Sequence, residues 1–597
     1  MDNRTLLAII LSVVVVSGYF IVNNVLSPHK PAPVAAAPAP TAPAAPAAPV
    51  APLAPALTPA PAAPAGVVQP ETDVLENNVI KMTFTNEGAF ATSILLKKYK
   101  ELDGSDIEMV HSASGHGGAF QLSIGGFDAA PLAAPFQVVH TGPRSIEFHG
   151  SFLDGKGVPF SLIRTYTLTD NDYLVKVETR IKGDNGQLPV LTNGPLAYTL
   201  SYGPQIGPQF KNLTNATAEF RKYYHLNSGN RVEQLGTGWF LFWQQPMNHE
   251  TMATTDRHSW SAIVGKYFTV IGIPDGTNYT TVFSNKPAAD EKDVSRLAYS
   301  RPALTSSDTA DAVFFYVGPK EENTLKTYDD ASANGFGQTD LKLERALEDN
   351  WLLGWLVVIL KWVLIGFHAL LPNWGVAIIL LTIAIKLATW PLTAKSYRAN
   401  AAMQTLQPKM KELQEKYKDD PKKLNEQTMA LYQKEGVNPL GGCLPMLLQI
   451  PVFFALYSMF NTQFDLRGAL FIPGWIPDLS LPESVWHWGF PLPFLNWTDL
   501  RVLPFVMAGT QIWTSLLSQP AAGATGQQRI LTMGLPLMFV FFMYEMPSGL
   551  MVYWCAQNIL TVVQQGYINK HFKKAPAPGG KPNLKLAPKK SGTKISK

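Results

Sequence analysis

The sequence predicts an α-helical polytopic membrane protein of six spans with a large all-β domain on the outer side of the membrane. Three observations lead there. Long apolar runs recur from residue 351 onward and are nearly absent before it, apart from one run at the N-terminus. Glu71 to about Lys320 is a succession of β-rich runs cut by Gly, Asn and Asp turns. The positive charges crowd into two places, 395–434 and 570–597, each close to the end of an apolar run. The chain has 597 residues and a net charge of only +4, so its overall charge gives no argument for a nucleic-acid partner. It has two cysteines, Cys443 and Cys555, both in apolar segments and neither in a zinc-ligand spacing.

Residues 1–26 begin with a short polar start containing Arg4 and continue into an apolar run from Leu6 to Val22. The run is long for a signal-peptide core, and prolines disfavour cleavage in the Ala-rich stretch beyond it, so an uncleaved anchor is the favoured reading. Residues 27–70 are almost entirely Ala and Pro, which cannot bury a core and predict a semi-rigid extended spacer. Residues 71–345 form the predicted β domain. Its strand signals are VIKMTFTN, AFQLSI, SIEFHGSF, FSLIRTYTLT, YLVKVETRI, SAIVGKYFTVIGIP and DAVFFYVG, which indicate a β-sandwich. It contains no nucleophile elbow, phosphate loop or metal-ligand cluster. Glu321–Asn350 turns polar and is expected to be helical as it leads to the membrane.

Within residues 346–372, Trp351–Pro372 is apolar but carries Lys361, His368 and several tryptophans. It reads either as a span or as an amphipathic helix at the interface, and the immediate Pro372–Asn373 break favours the interfacial helix. The first core span is 373–392. Residues 393–438 are polar, and nine Lys/Arg between Lys395 and Lys434 make this loop cytoplasmic. Met403, Leu406, Met410, Leu413 and Tyr417 recur by three and four, and Asp419-Asp420-Pro421 breaks the run. That pattern predicts an antiparallel helical hairpin, read either as a solvated loop with an apolar seam or as a docking arm. Residues 439–569 supply four more spans, at about 440–460, 501–519, 530–546 and 549–567. The last two come from one apolar stretch, too long for a single crossing and turned by Met546-Pro547-Ser548-Gly549. Residues 570–597 carry nine lysines and no acid, which suits anionic lipid or a highly anionic partner.

The chemistry concentrates in the spans. Thr382, Lys386, Thr389 and Thr393 are spaced i, i+4, i+7, i+11 and so form one polar stripe. Lys386 lies about 18 Å along the helix from Trp374, at ~1.5 Å per residue. An ammonium at such a depth costs roughly 2.5–3.5 kcal/mol on insertion scales. It faces a wet cavity, or it snorkels to the cytoplasmic surface; the residues alone leave both open. Polar groups recur in the other core spans: Gln449, then Gln511 with Thr514, Thr532, and Tyr553, Trp554, Gln557 and Asn558 on the last. A solute transporter would show paired broken helices in internal repeats, and none is found. An enzyme would need a nucleophile with a base, or metal ligands, in the spans. His368 is the one candidate there and has no partner in the pattern. No cofactor is indicated. A groove polar on one side, with cytoplasmic docking surfaces, fits a protein that receives other polypeptides.

Four segments, NPLGGCLPMLLQIPVFFALY (Asn438–Tyr457), NWGVAIILLTIAIKLATWPLT (Asn373–Thr393), LQPKMKELQEKY (Leu406–Tyr417) and PSGLMVYW (Pro547–Trp554), closely resemble the YidC/Oxa/Alb family of membrane protein insertases. The β segments VLENNVIKMTFTNEGA, WSAIVGKYFTVIGIP and YVGPK are similar to its Gram-negative branch. The resemblance covers nearly the whole chain except the Ala/Pro spacer. It implies a periplasmic β-supersandwich like sugar-mutarotase folds but not enzymatic, and a five-helix insertase core. It also implies residence in the inner membrane with both termini cytoplasmic. The implied partners are nascent membrane proteins, membrane lipids, the Sec translocon, and a ribosome or targeting factor at the basic tail, with no small-molecule substrate. The implied groove residues are Lys386, Thr382, Thr389, Gln449, Gln511, Tyr553, Trp554 and Gln557. The family usually has an arginine where this chain has Lys386. Lysine keeps the charge and loses the planar fork. An assisting chaperone for the Sec channel is the alternative role.

Overall fold

The computed structural model describes residues 58–59 and 71–572, apart from 112–117, 204–205, 209–221, 228–231, 236–238, 241–242, 245–250, 289–290, 348–352, 419, 437–443, 489, 491, 493–496 and 519–525. The expected anchor at 1–26, most of the 27–70 spacer and the tail beyond 572 lie outside the described residues. The chain divides into a β unit, reaching residue 351 and including 462–464, and a helical unit of 352–461 and 465 onward.

The β unit is built on two large antiparallel sheets, with a two-strand ribbon of Trp239–Phe240 and Trp243–Gln244 beside them in the chain. One runs, edge to edge, Thr58–Pro59, Ser145–Leu153, Pro159–Thr167, Leu174–Gly183, Asp308–Pro319, Phe268–Pro274, His258–Val264, Lys222–Asn227 and Val232–Leu235, with Gln137–Gly142 also on Ser145–Leu153. The other runs Thr251–Thr254, Thr280–Ala288, Glu291–Pro302, Leu196–Tyr202, Ala119–Ile124, Phe90–Lys100, Ile80–Thr85 and Thr72–Glu76, with Asp106–Glu108 on Phe90–Lys100. Strict alternation puts every second side chain of Ile80–Thr85 in the core, as period 2 requires. Aromatic pairs join the two inner faces: Phe84 meets Tyr166 at 4.5 Å and Phe120 meets Phe315 at 4.8 Å between ring centroids.

Arg164 lies fully buried between these faces. It donates to the carbonyls of Ala89 and Phe120, each at 2.8 Å, and Tyr166 donates to the Ala89 carbonyl at 2.6 Å. Ala89 and Phe120 both have positive φ (53° and 64°). Their carbonyls are thus turned out of the ladder, and the guanidinium satisfies them. Burial lowers the pKa of Arg164 and pushes the Tyr166 phenol up to about 12.

The segment 321–350 departs from the helical expectation. Among the described residues it contains one short helix, α1 (Glu322–Lys326), and two 3-10 turns, Thr327–Asp329 and Leu343–Ala346. Leu343 and Ala346 are buried in the β core, and Trp260 Nε1 donates to the Leu341 carbonyl at 2.9 Å. Lys342 takes a left-handed conformation between them. Docking onto the sheets outweighs the local helix propensity.

The helical unit comprises α2 (Gly354–Leu370), α3 (Trp374–Lys416), α4 (Pro421–Glu435), α5 (Leu444–Thr462), α6 (Leu503–Ser518), α7 (Gly526–Met543) and α8 (Ser548–Phe572). Asn373 caps α3 by accepting from Val376 N at 3.0 Å, and Asp420 caps α4 by accepting from Lys423 N at 3.1 Å. Gly436, at φ 64°, ends α4. The expected boundary between span and hairpin at 392/393 is not a break in the helix: α3 runs through that point, with Pro391 and Pro408 inside it. At ~1.5 Å per residue it is roughly 64 Å long, about twice a bilayer core. Among the described residues one helix, Trp374–Ala394, is long and apolar enough to cross a membrane; Gly354–Leu370 and Gln449–Phe460 are shorter apolar helices.

Helix α8 packs against both α3 and α6, α6 packs on α7, and α2 packs on α3. Leu360, Leu364, Ile378, Leu381, Leu456, Met459, Met507 and Met551 share the common core. Close approach at the start of α3 requires glycine: a Cβ on Gly375 would stand 2.0 Å from Phe471 Cδ2.

Candidate functional site

The polar stripe of α3 meets a polar stripe of α8. Thr382, Thr389 and Thr393 return their hydroxyls to the carbonyls four residues back, Ile378, Ile385 and Thr389, at 2.7, 2.8 and 2.9 Å. Those threonines satisfy themselves within the helix. Lys386 cannot. Its Nζ donates to Thr561 Oγ1 on α8 at 2.7 Å. Thr561 in turn donates to the Gln557 carbonyl at 2.7 Å, so its hydrogen is committed and a lone pair faces the ammonium. Among the described residues no carboxylate lies within 4.0 Å of Lys386, which is half-buried. A cation held by one neutral hydroxyl keeps its field largely uncompensated.

The two helices run parallel. A Cβ on Gly549 would stand 3.3 Å from Ile378 Cδ1 near one end, and Trp390 meets Tyr567 at 6.0 Å near the other. Lys386 and Thr561 lie between. On a neighbouring face of α8, Trp554 Nε1 donates to Gln511 Oε1 of α6 at 3.4 Å, and Asn558 Nδ2 donates to Thr510 Oγ1 at 3.0 Å. The Trp554 ring also packs edge-on to Phe453 of α5 at 5.1 Å.

The structure therefore joins Lys386 to the Gln557 turn through Thr561, and Gln511 to Trp554. Tyr553 is 1% exposed and packs into the helical core. Gln449 is half-buried on α5, and among the described residues no hydrogen bond ties it to this network. Of the hairpin residues, Leu406 is buried; Met410, Leu413 and Tyr417 are half-buried; Met403 lies on α3 with its side chain outside the described set. Tyr432 of α4 donates to Met410 Sδ at 3.2 Å, and Lys409 pairs with Glu435 at 2.6 Å, so the two arms face each other.

Thr561 and Gln564 join the site beyond the residues expected from the sequence. Their signal was the helical period, since they stand four and seven residues after Gln557. A second unexpected feature is an ionic cluster around Arg501. There Arg501 donates to the Tyr544 carbonyl at 2.7 Å and pairs with Glu545 at 2.6 Å, while the Tyr544 ring stacks on Trp497 at 3.6 Å. Nearby, Glu483 accepts from Leu503 N at 2.5 Å and Trp475 Nε1 at 3.1 Å, and burial raises its carboxyl above the usual range. His368, the lone nucleophile or base candidate, stacks flat on Trp374 at 3.8 Å. Among the described residues no group of three or more His, Cys, Asp and Glu is placed to hold a metal ion.

Two family models match in tandem: YidC periplasmic domain over residues 74–365 and 60Kd inner membrane protein over 366–575. The membrane protein insertase YidC of Treponema denticola is 36% identical over 518 residues, covering 84% of this chain and 87% of that one. The chain belongs to the YidC family of membrane protein insertases. The YidC of Pelobacter propionicus is 31% identical over 586 residues, covering 96% of this chain and 99% of that one. A solved structure of an active YidC insertase overlaps 85% of this chain and 93% of that one, at 15% identity and a TM-score of 0.30. Most of the β unit falls in the periplasmic-domain match and α3–α8 in the inner-membrane-protein match.

Proposed function

We propose that this chain inserts integral membrane polypeptides into the inner membrane, and helps them fold, by way of the polar seam between α3 and α8. The observation that carries the reading is Lys386: a cation within an apolar helix, held by a hydroxyl and met by no carboxylate among the described residues. A client's short polar or acidic end is attracted to that field, which offsets part of its desolvation cost in the bilayer. The client's apolar segment then leaves along the exposed faces of α8 and α6, where Ile559, Val563, Phe505 and Leu516 stand open.

The topology in this account has six spans, both termini cytoplasmic and the β unit periplasmic. The α3–α4 hairpin and the basic tail receive the client, or the ribosome or targeting factor that delivers it. The chain works alone or with the Sec translocon. It carries out no covalent chemistry.

The test is insertion of a single-span protein with an acidic translocated end into liposomes containing only this purified chain, read by protease protection. Insertion supports the autonomous role. No insertion, with rescue on adding Sec translocon, would reassign the chain as an assisting chaperone.

A further inference from the structure

The polar stripe of α8 contains more hydrogen-bonding capacity than the folded chain uses. Gln564 is 3% exposed, and neither its amide oxygen nor its amide nitrogen has a partner among the described residues. Gln557 is 7% exposed with its Oε1 likewise unpartnered, and the Tyr553 hydroxyl, on a residue 1% exposed, is a third such group. An unpaired polar group away from water costs roughly 1–3 kcal/mol. These three lie at i, i+4 and i+11 on one helix and bracket Thr561, the residue that holds Lys386. A stripe of unspent polar groups around the groove cation is a poor device for stability. It is a good device for a ligand that arrives when the seam opens.

We infer that Gln557 and Gln564 form a subsite for the main chain of the entering polypeptide, with Thr561 acting as the latch that keeps the seam shut at rest. A primary amide offers one carbonyl and one N–H face, the same pair a peptide unit offers. Gln557 and Gln564 are seven residues apart, about 10 Å along the helix, which matches about three residues of an extended chain at ~3.3 Å each. Reading the backbone rather than side chains suits a site that must accept translocated ends of unrelated sequence. Lys386 attracts the end by charge, and the two amides hold its peptide groups after Lys386 has let go of Thr561. The inference deepens the insertase reading and rests on it.

The experiment uses the full chain in liposomes, with two clients that differ only in the translocated end. One end is ordinary; in the other, alternate residues are proline, which has no N–H to give. Gln564→Leu and the double variant Gln557→Leu/Gln564→Leu are compared with wild type, and each is also melted in detergent. Leucine fills a similar volume and removes an unpaired amide, so Tm should hold or rise. Insertion of the ordinary client should fall roughly three- to tenfold for each lost hydrogen bond. The proline-bearing client should insert more slowly with wild type and lose little more with the variants. A Tm lowered by several degrees would overturn the proposal, because the amides would then be bonded inside the resting fold. Equal slowing of both clients would overturn it as well. Failure of wild type to insert either client would strike the insertase reading, and the proposal with it. Normal wild-type insertion combined with either of the first two results would strike the proposal alone.

Discussion

Replacing Lys386 by methionine removes the charge and keeps the length of the side chain. The size of the effect follows from its surroundings. A client carboxylate that displaced Thr561 would come to about 4 Å from the ammonium, where two unit charges attract by about 4 kcal/mol at an effective dielectric of 20. Lys386 is only half-buried, so solvent screening takes roughly half of that. The Thr561 hydrogen bond given up costs about 1 kcal/mol more. What remains is about 1 kcal/mol, or roughly fivefold in rate. In the liposome assay, Lys386→Met should slow a client with an acidic translocated end by that factor and a neutral-ended client by less than about threefold. Lys386→Arg should restore most of the rate if the field alone matters, since arginine keeps the charge. Equal slowing of acidic and neutral clients by Lys386→Met would refute the electrostatic reasoning and leave Lys386 a packing or interface residue.

Three further outcomes test the architecture. Arg501→Met removes the donor to the buried Tyr544 carbonyl and the partner of Glu545, and should cost about 2–3 kcal/mol, read as a lowered Tm of the purified chain. Gly375→Ala drives a methyl into the Phe471 ring and should destabilise by about 1–3 kcal/mol by the same readout. In the β unit, burial alone would raise the Asp154 carboxyl, but three backbone N–H groups, from Val190, Val158 and Lys156, outweigh it and lower its pKa. Because the folded pKa is below the unfolded value near 4, Asp154 stabilises the fold above that pH, and the contribution is lost as pH falls through the folded pKa. Unfolding midpoints of wild type and Asp154→Asn should therefore differ at pH 6 and converge in acid; a pH-independent gap would contradict this.

What the sequence disclosed depended on how local the cause was. Strands with strong alternation, such as Ile80–Thr85 and Pro159–Thr167, are legible because period 2 alone marks their buried face. Thr280–Ala288 and Glu291–Pro302 are not, since they are polar and form a strand pair only because they pair with each other and with Leu196–Tyr202. The helical period places Thr382, Lys386, Thr389 and Thr393 on one face of α3 without reference to any other element. The identity of the group that meets Lys386 depends on the register of α3 against α8, which contacts such as Gly549 with Ile378 determine. Tertiary packing also hid the irregular path of 321–350, where burial of Leu343 and Ala346 takes precedence over propensity. Arg501 stood in the sequence as a boundary charge at the start of a span; its partners Tyr544 and Glu545 lie more than forty residues on.

The central claim is that a client passes through the α3–α8 seam. The most direct test places a photo-reactive residue at 389 or 557, in the seam, or at the exposed positions 387 or 516, and presents arrested client chains of increasing length. The account predicts that the shortest chains, with only the polar end in reach, cross-link from 389 and 557, and that longer ones shift to 516 as the apolar segment emerges. Cross-links from 387 and 516 alone, at every length, would contradict it.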